Sequence, residues 1–339
     1  MYSQISNVDR VRRQQTTPPR LISLGSLRKQ VLGIDAAEVS PERRRFRCKD
    51  NATRARLEKI GSTFLLGYNA ALEASDLSAL AKQLNSLDRE LQGFAFEGAA
   101  MGLALLDSLT PWNNGRLLQF IAGPAARHAY MAHVGSGWAL ARLPWLRFNL
   151  KKQLQRLQPL LCWLALDGYG FHEGYFNWPR YVEERQIPKK LSAYELRAFD
   201  QGLGRSLWFV EGADVDRIPL TIERFHPYRR ADLWSGIGLA CAYAGGAGAD
   251  AIAVIHQAAA VYSAHLAQGA AFAAKARQLA GNEAEHTDLA CHIFTGRPAT
   301  QAAAITDEAL RDLPAGGKEP AYEVWRERIR IRLTAKGAS

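Results

Sequence analysis

Asp167-Gly168-Tyr169-Gly170-Phe171-His172-Glu173-Gly174 is followed by Gln201-Gly202-Leu203-Gly204-Arg205-Ser206-Leu207-Trp208, and then by Ser235-Gly236-Ile237-Gly238-Leu239-Ala240-Cys241-Ala242. In each, two glycines stand two residues apart amid Ala, Leu and aromatic residues, with no strand-like alternation around them. A Gly-x-Gly pair that follows a strand can cradle a dinucleotide phosphate. Here the pairs lie in helical sequence, which argues against that fingerprint. Working outward, related clusters begin at Gly98, Gly135 and Gly269. The first glycines fall at 98, 135, 168, 202, 236 and 269, so successive spacings are 37, 33, 34, 34 and 33 residues. Gly67 reads as a degenerate seventh.

That spacing is the period of helix-pair arrays. The fold expected is therefore all-α: antiparallel helix-pair repeats of about 34 residues forming an α-solenoid or a superhelical or toroidal array. Tyr194, Tyr228 and Tyr262 precede the glycines at 202, 236 and 269 by 8, 8 and 7 residues, which extends the register. Gly212-Ala213-Asp214 and Gly248-Ala249-Asp250 each place an Asp where it would cap a new helix. Glycine inside a helix costs about 1 kcal/mol relative to alanine. Its recurrence calls for close approach, either of neighbouring backbones or of a bound molecule.

The chain of 339 residues is 47% hydrophobic and 22% charged, enough apolar material for a large core. Residues 1–60 hold 14 of the basic residues against 6 acidic ones, so most of the net charge of +10 is N-terminal. Residues 1–30, polar and carrying Pro18-Pro19, read as a disordered basic tail, and 31–335 as one helical repeat domain with glycine-rich inner helices. No aromatic–basic platform for nucleic acid follows the tail. Cys48, Cys162, Cys241 and Cys291 are far apart and form no Cys-x-x-Cys pair, which points away from a zinc ribbon and toward a reducing, cytoplasmic setting. Arg10, Arg12, Arg13 and Arg20 interrupt any signal peptide, and the longest uncharged apolar run, 157–166, is too short to span a bilayer. No metal ligand pattern, nucleotide loop or nucleophile elbow appears, and no cofactor is expected.

Numbered from the first glycine, the preceding position holds Glu97, Val134, Asp167, Gln201, Ser235 and Gln268. Position +3 holds Met101, Trp138, Phe171, Arg205, Leu239 and Phe272, and position +6 holds Ala104, Ala141, Gly174, Trp208, Ala242 and Lys275. Positions four and three apart share a helical face, so a curved stack would gather these columns on its concave side. Glu97, Gln201, Arg205, Trp208, Trp234, Gln268, Phe272 and Lys275 are accordingly the expected ligand-binding residues. Asp167, His172 and Glu173, in the segment densest in carboxylates and aromatics, are the expected catalytic ones. On a straight helix these three do not form one ready-made dyad, since Asp167 and His172 point about 140° apart.

Five segments carry a resemblance: Phe94-Ala95-Phe96-Glu97-Gly98-Ala99-Ala100-Met101-Gly102, the stretch 167–176, the stretch 201–208, Asp232-Leu233-Trp234-Ser235-Gly236, and the stretch 265–276. Together they resemble signatures of the bacterial domain-of-unknown-function family 1702, over roughly residues 31–330. Members of that family accompany enediyne polyketide synthases in biosynthetic gene clusters, and relatives occur outside them. The resemblance implies a role in natural-product assembly, with an apolar polyene-type intermediate as ligand. It supplies no reaction, cofactor or catalytic residue. Three readings remain open at this point: a protein that holds or converts such a polyene in a helix-lined groove; a scaffold that binds another biosynthetic protein through its concave face; and a terpene-type cyclase lacking the Asp-rich metal motif. A closed, dry pocket would favour the first, and a broad groove with exposed aromatics the second.

Overall fold

The computed structural model describes residues 23–335 apart from 111, 113, 114, 315 and 316. Among them the chain forms seventeen α-helices and no strand. Nine helices carry the architecture: α1 (Asn51–Glu73), α2 (Gln92–Leu109), α3 (Ala129–Arg142), α4 (Trp163–Phe176), α5 (Ala193–Val210), α6 (Pro227–Ala244), α7 (Ser263–Ala280), α8 (Ala299–Leu310) and α9 (Ala321–Thr334). From α1 to α8 each packs on the next, while shorter helices such as Leu77–Asn85, Arg217–Glu223 and Ala249–Ala259 bridge them.

Local sequence explains the helix starts. Asp50 accepts a hydrogen bond from the Thr53 amide to open α1, and Ser192 and Glu195 form a reciprocal capping box at the start of α5. Asp214 accepts from the amides of Asp216 and Arg217 at the entry to the 217–223 helix, whose cap position is taken by Asp216. Asp250 does not cap. Gly248 takes the cap position and Asp250 lies in the first turn, where a carboxylate favours the helix through its dipole.

The glycines are where helices touch. A Cβ on Gly135, Gly168, Gly202, Gly236 or Gly269 would fall 1.7 to 2.1 Å from a carbonyl oxygen of the preceding helix in the series, those of Glu97, Val134, Asp167, Gln201 and Ser235 respectively. The second glycine of each pair faces the other way. A Cβ on Gly137, Gly170, Gly204 or Gly238 would fall 1.8 to 2.2 Å from the carbonyl of Ala165, Phe199, Leu233 or Leu266 in the following helix. One glycine therefore admits the helix before and the other the helix after. Gly67 belongs to the second kind, since it meets the Ala95 carbonyl, so it is not a first glycine and the register in α1 starts at Leu65. Gly168 lies beside Val134, Gly202 beside Asp167 and, further along α4, Gly174 beside Ser206, so neighbouring helices of the series run in the same direction.

The series also returns on itself. Thr53 Oγ1 near the start of α1 donates to the Gly246 carbonyl at 3.0 Å, and Arg56 Nε donates to the Ala244 carbonyl at 2.6 Å. Helix α9 packs on α7 and α8, and its Tyr322, Trp325 and Arg326 are fully buried. The helix Leu24–Leu32 falls inside the stretch expected to be a tail. It docks on the end of α1, where Gly25 sits against the Glu73 backbone and Lys29 pairs with Glu73 at 3.1 Å. The rest of the expected tail, residues 1–22, lies outside the described residues. Cys162, Cys241 and Cys291 are buried free thiols, and no helix among the described residues is long and apolar enough to cross a membrane.

Candidate functional site

Helices that approach this closely leave their larger side chains to meet on the inner side. There they line an aromatic pocket. Trp138 of α3 lies between Phe64 of α1, with ring centres 4.2 Å apart, and Phe171 of α4, at 5.2 Å. Phe171 continues to Phe209 of α5 at 5.3 Å, and Phe94 of α2 meets Tyr243 of α6 at 5.1 Å. Tyr175 and Phe176 complete the aromatic wall. Among the described residues two charged ones line the cavity, Glu97 and Arg205. Val39 closes one side, and the segment that carries it is anchored by Arg44, whose carbonyl accepts from Trp178 Nε1, and by Arg47, paired with Glu211 and Glu183.

Behind the two charged groups runs a buried polar chain. Trp138 Nε1 donates to Glu97 Oε1 at 3.1 Å, and Arg205 Nη2 stands 3.9 Å from that same oxygen. Arg205 Nη1 pairs closely with Asp167 Oδ1, and its guanidinium lies over the Phe171 ring. Gln201 Nε2 donates to Asp167 Oδ2 at 2.8 Å. The Ser235 hydroxyl stands 3.2 Å from the Gln201 side-chain oxygen and 3.1 Å from that of Gln268, and can donate to one at a time. Arg326 of α9 then donates to Gln268 Oε1 and pairs with Asp232 and Glu323. The residues that precede the glycines are thus brought together, but mainly to one another. Asp167, Gln201 and Gln268 satisfy buried polar neighbours and line neither this cavity nor a second one described below.

Burial pushes the Glu97 carboxyl up to about 7, with the charge of Asp167 adding to the effect and Arg205 and the Trp138 hydrogen bond opposing it. Glu97 therefore holds a proton that it can exchange near neutrality. Because its folded-state value lies above the usual 4.5, its contribution to stability is full below pH 4.5 and is lost as the pH rises through 7. One such group changes stability by at most about 1.4 kcal/mol per pH unit. Buried His172 and His128 slope the other way below pH 6.5, so the useful quantity is the difference between wild type and Glu97→Gln. The wild type should lose stability relative to Glu97→Gln from pH 4.5 to 7, as read from denaturant midpoints. Parallel curves would show that Glu97 does not titrate in this range.

The remaining expected residues lie elsewhere. His172 sits behind the aromatic wall, its ring edge-on to Trp138 at 5.5 Å, and burial lowers its pKa to about 3, so it is neutral. Glu173 accepts from Asn177 at 2.7 Å, with its carboxyl raised by burial, and does not line the cavity. Trp208 is fully buried and donates to the Gly245 carbonyl, Trp234 is buried without lining either cavity, and Lys275 pairs with Asp307 of α8 at 2.7 Å. Phe272 packs on Trp325 at 4.7 Å and lines the second cavity. The face that points inward is −1, +3 and +7 rather than −1, +3 and +6. Position +6 is about 100° around the helix from +7, which carries Trp208 and Lys275 toward other neighbours. Tyr175, Phe209 and Tyr243 all stand at +7 and were missed. Extending the +3 column by one further i+4 step would have found them.

Fold and site together define an all-helical protein with an aromatic internal cavity and one buried acid–guanidinium pair in its wall. The chain belongs to the DUF1702 family, described as proteins of unknown function, whose pattern matches residues 23–333. Neither the curated proteins nor the solved structures gave a match.

Proposed function

We propose that this protein binds an elongated, apolar, polyene-type intermediate of natural-product assembly in the cavity between α1 and α6, and that Glu97 is its proton-exchanging group. The carrying observation is the composition of the wall: among the described residues it is aromatic and aliphatic side chains, with Glu97 and Arg205 as its charges. Small-molecule sites are built in this way, mostly apolar with a few placed polar groups. The recurring glycine contacts support a superhelical array of helix pairs as the scaffold. In it the glycines let the helices close in and the aromatics fill the interior. The enediyne association rests on the family resemblance and supplies the polyene as substrate class.

Proton transfer is chemistry that Glu97 can perform without a further reactant. A proton given to one carbon of a conjugated chain and taken back from another isomerises the chain or closes a ring. The cyclase alternative, on this reading, would be acid-initiated, since no group of three or more His, Cys, Asp or Glu side chains is placed to hold a metal among the described residues. The scaffold alternative needs exposed aromatics on the inner face, whereas Trp138, Phe171 and Phe272 are buried.

The test is mass spectrometry of small molecules retained by the protein after purification from a producing host, with Phe209→Trp as the cavity-filling variant. A conjugated molecule should accompany the wild type and fall at least tenfold in the variant. A wild type that retains no such molecule, and does not transfer its tryptophan fluorescence to an added conjugated polyene, would refute the reading.

A further inference from the structure

A second, smaller cavity is lined by Tyr130, Val134, Leu164, Phe272 and Ala276 among others. It shares three lining residues with the first: Arg205, Leu239 and Tyr243. The two are displaced along the helices in a consistent direction. On α3 the second cavity touches Val134 and the first touches Trp138; on α4 the second touches Leu164 and the first touches Phe171. Seven residues of helix span about 10 Å. α3 and α4 run in the same direction, and the offset has the same sense on both, four residues or about 6 Å on α3 and seven on α4, while on α6 Leu239 and Tyr243 line both cavities.

The partition between them is made by Arg205, Leu239 and Tyr243, with Arg277 over the Tyr243 ring at 4.3 Å and Phe94 against it at 5.1 Å. Leu239 is an aliphatic side chain with rotamer freedom, and the Tyr243 hydroxyl is buried with no hydrogen-bond partner among the described residues. An unpaired buried hydroxyl costs stability, and nothing in its hydrogen bonding holds this ring in place. Different parts of the chain stand at the two cavities. Val39 of the N-terminal segment stands at the first cavity, and Trp325 of α9 packs on Phe272 at the second.

We infer that the two cavities are halves of one channel, separated by Leu239 and Tyr243, that takes a linear unbranched hydrocarbon chain lengthwise, so that Glu97 and Arg205 meet the chain in its interior rather than at its end. This rests on the apolar-ligand reading above and narrows it to linear chains long enough to need both halves.

The experiment uses the full chain, a fluorescent straight-chain conjugated eighteen-carbon tetraenoic acid as probe, and saturated fatty acids of eight to eighteen carbons as competitors. Ala276→Phe narrows the second cavity. It should weaken the eighteen-carbon ligands at least tenfold and the eight-carbon ligand less than twofold. Phe272→Ala enlarges the same cavity and should move the preferred length upward, which keeps the test decisive if Ala276→Phe does not fold. If the wild type binds the series but the folded variants leave its chain-length dependence unchanged, the channel is wrong and the single-cavity reading survives. If the wild type binds no member of the series, the apolar-ligand reading falls and the channel with it.

Discussion

Replacing Gly202 by alanine is expected to destabilise the protein by about 3 kcal/mol or more, a large effect for adding one methyl group. The new Cβ would lie 1.7 Å from the Asp167 carbonyl oxygen and 2.5 Å from its carbon. The obstacle is backbone, so no side chain can rotate away, and α4 and α5 must separate. Alanine's higher helix propensity returns only about 1 kcal/mol. Separation would also stretch the neighbouring hydrogen bond from Gln201 to Asp167. Gly317→Ala is the control, because its Cβ would meet nothing nearer than 3.7 Å; it should stay within about 0.5 kcal/mol of wild type. Urea unfolding followed by circular dichroism measures both. A Gly202→Ala protein as stable as the control would mean that these helices are not in contact at this point.

Arg205→Met should cost about 3–5 kcal/mol, the range for removing one partner of a buried ion pair. Arg205 is the cation between Asp167 and Glu97, and all three side chains are at least 95% buried. Without it two carboxylates face each other in an apolar interior, and one must take up a proton. The accompanying variant is the triple substitution Glu97→Gln, Asp167→Asn, Arg205→Met, which removes the charges together. It should recover much of the lost stability, since replacing a buried ionic group whole is often neutral. If Arg205→Met alone unfolds at the wild-type denaturant midpoint, the guanidinium is not the counter-charge that this buried pair requires.

The polar chain behind the candidate site was legible by register. Glu97, Asp167, Gln201 and Gln268 were grouped because equivalent positions on similarly oriented helices must point the same way, and they do form one connected polar chain with Arg205 and Ser235. Their roles were not legible. Asp167 stood out as a catalytic candidate for its company of aromatics and a histidine, whereas Glu97 is the carboxyl that reaches the cavity and holds its proton near neutrality. Proton affinity depends on how much water and which charges surround a group, and neither is a property of a single segment. His172 shows the same thing from the other side: the surroundings that made it look reactive are aromatic rings that bury it and keep it neutral.

What the sequence by itself determined is what can be encoded within a few tens of residues: the helical class, the helix caps at Asp50 and Ser192, and the two-sided glycine contact that recurs along the series. A glycine's lack of a Cβ is a local fact, and helices placed side by side turn it into a contact wherever it occurs. The tertiary structure alone decided how the series closes and what seals it. The bond from Thr53 to Gly246 joins residues 193 apart in sequence, and that from Arg326 to Asp232 joins residues 94 apart. No periodicity within a repeat specifies such a pairing. It depends on how several successive helices pack on one another, which no single segment fixes. The cavity and the proton on Glu97 depend on that packing.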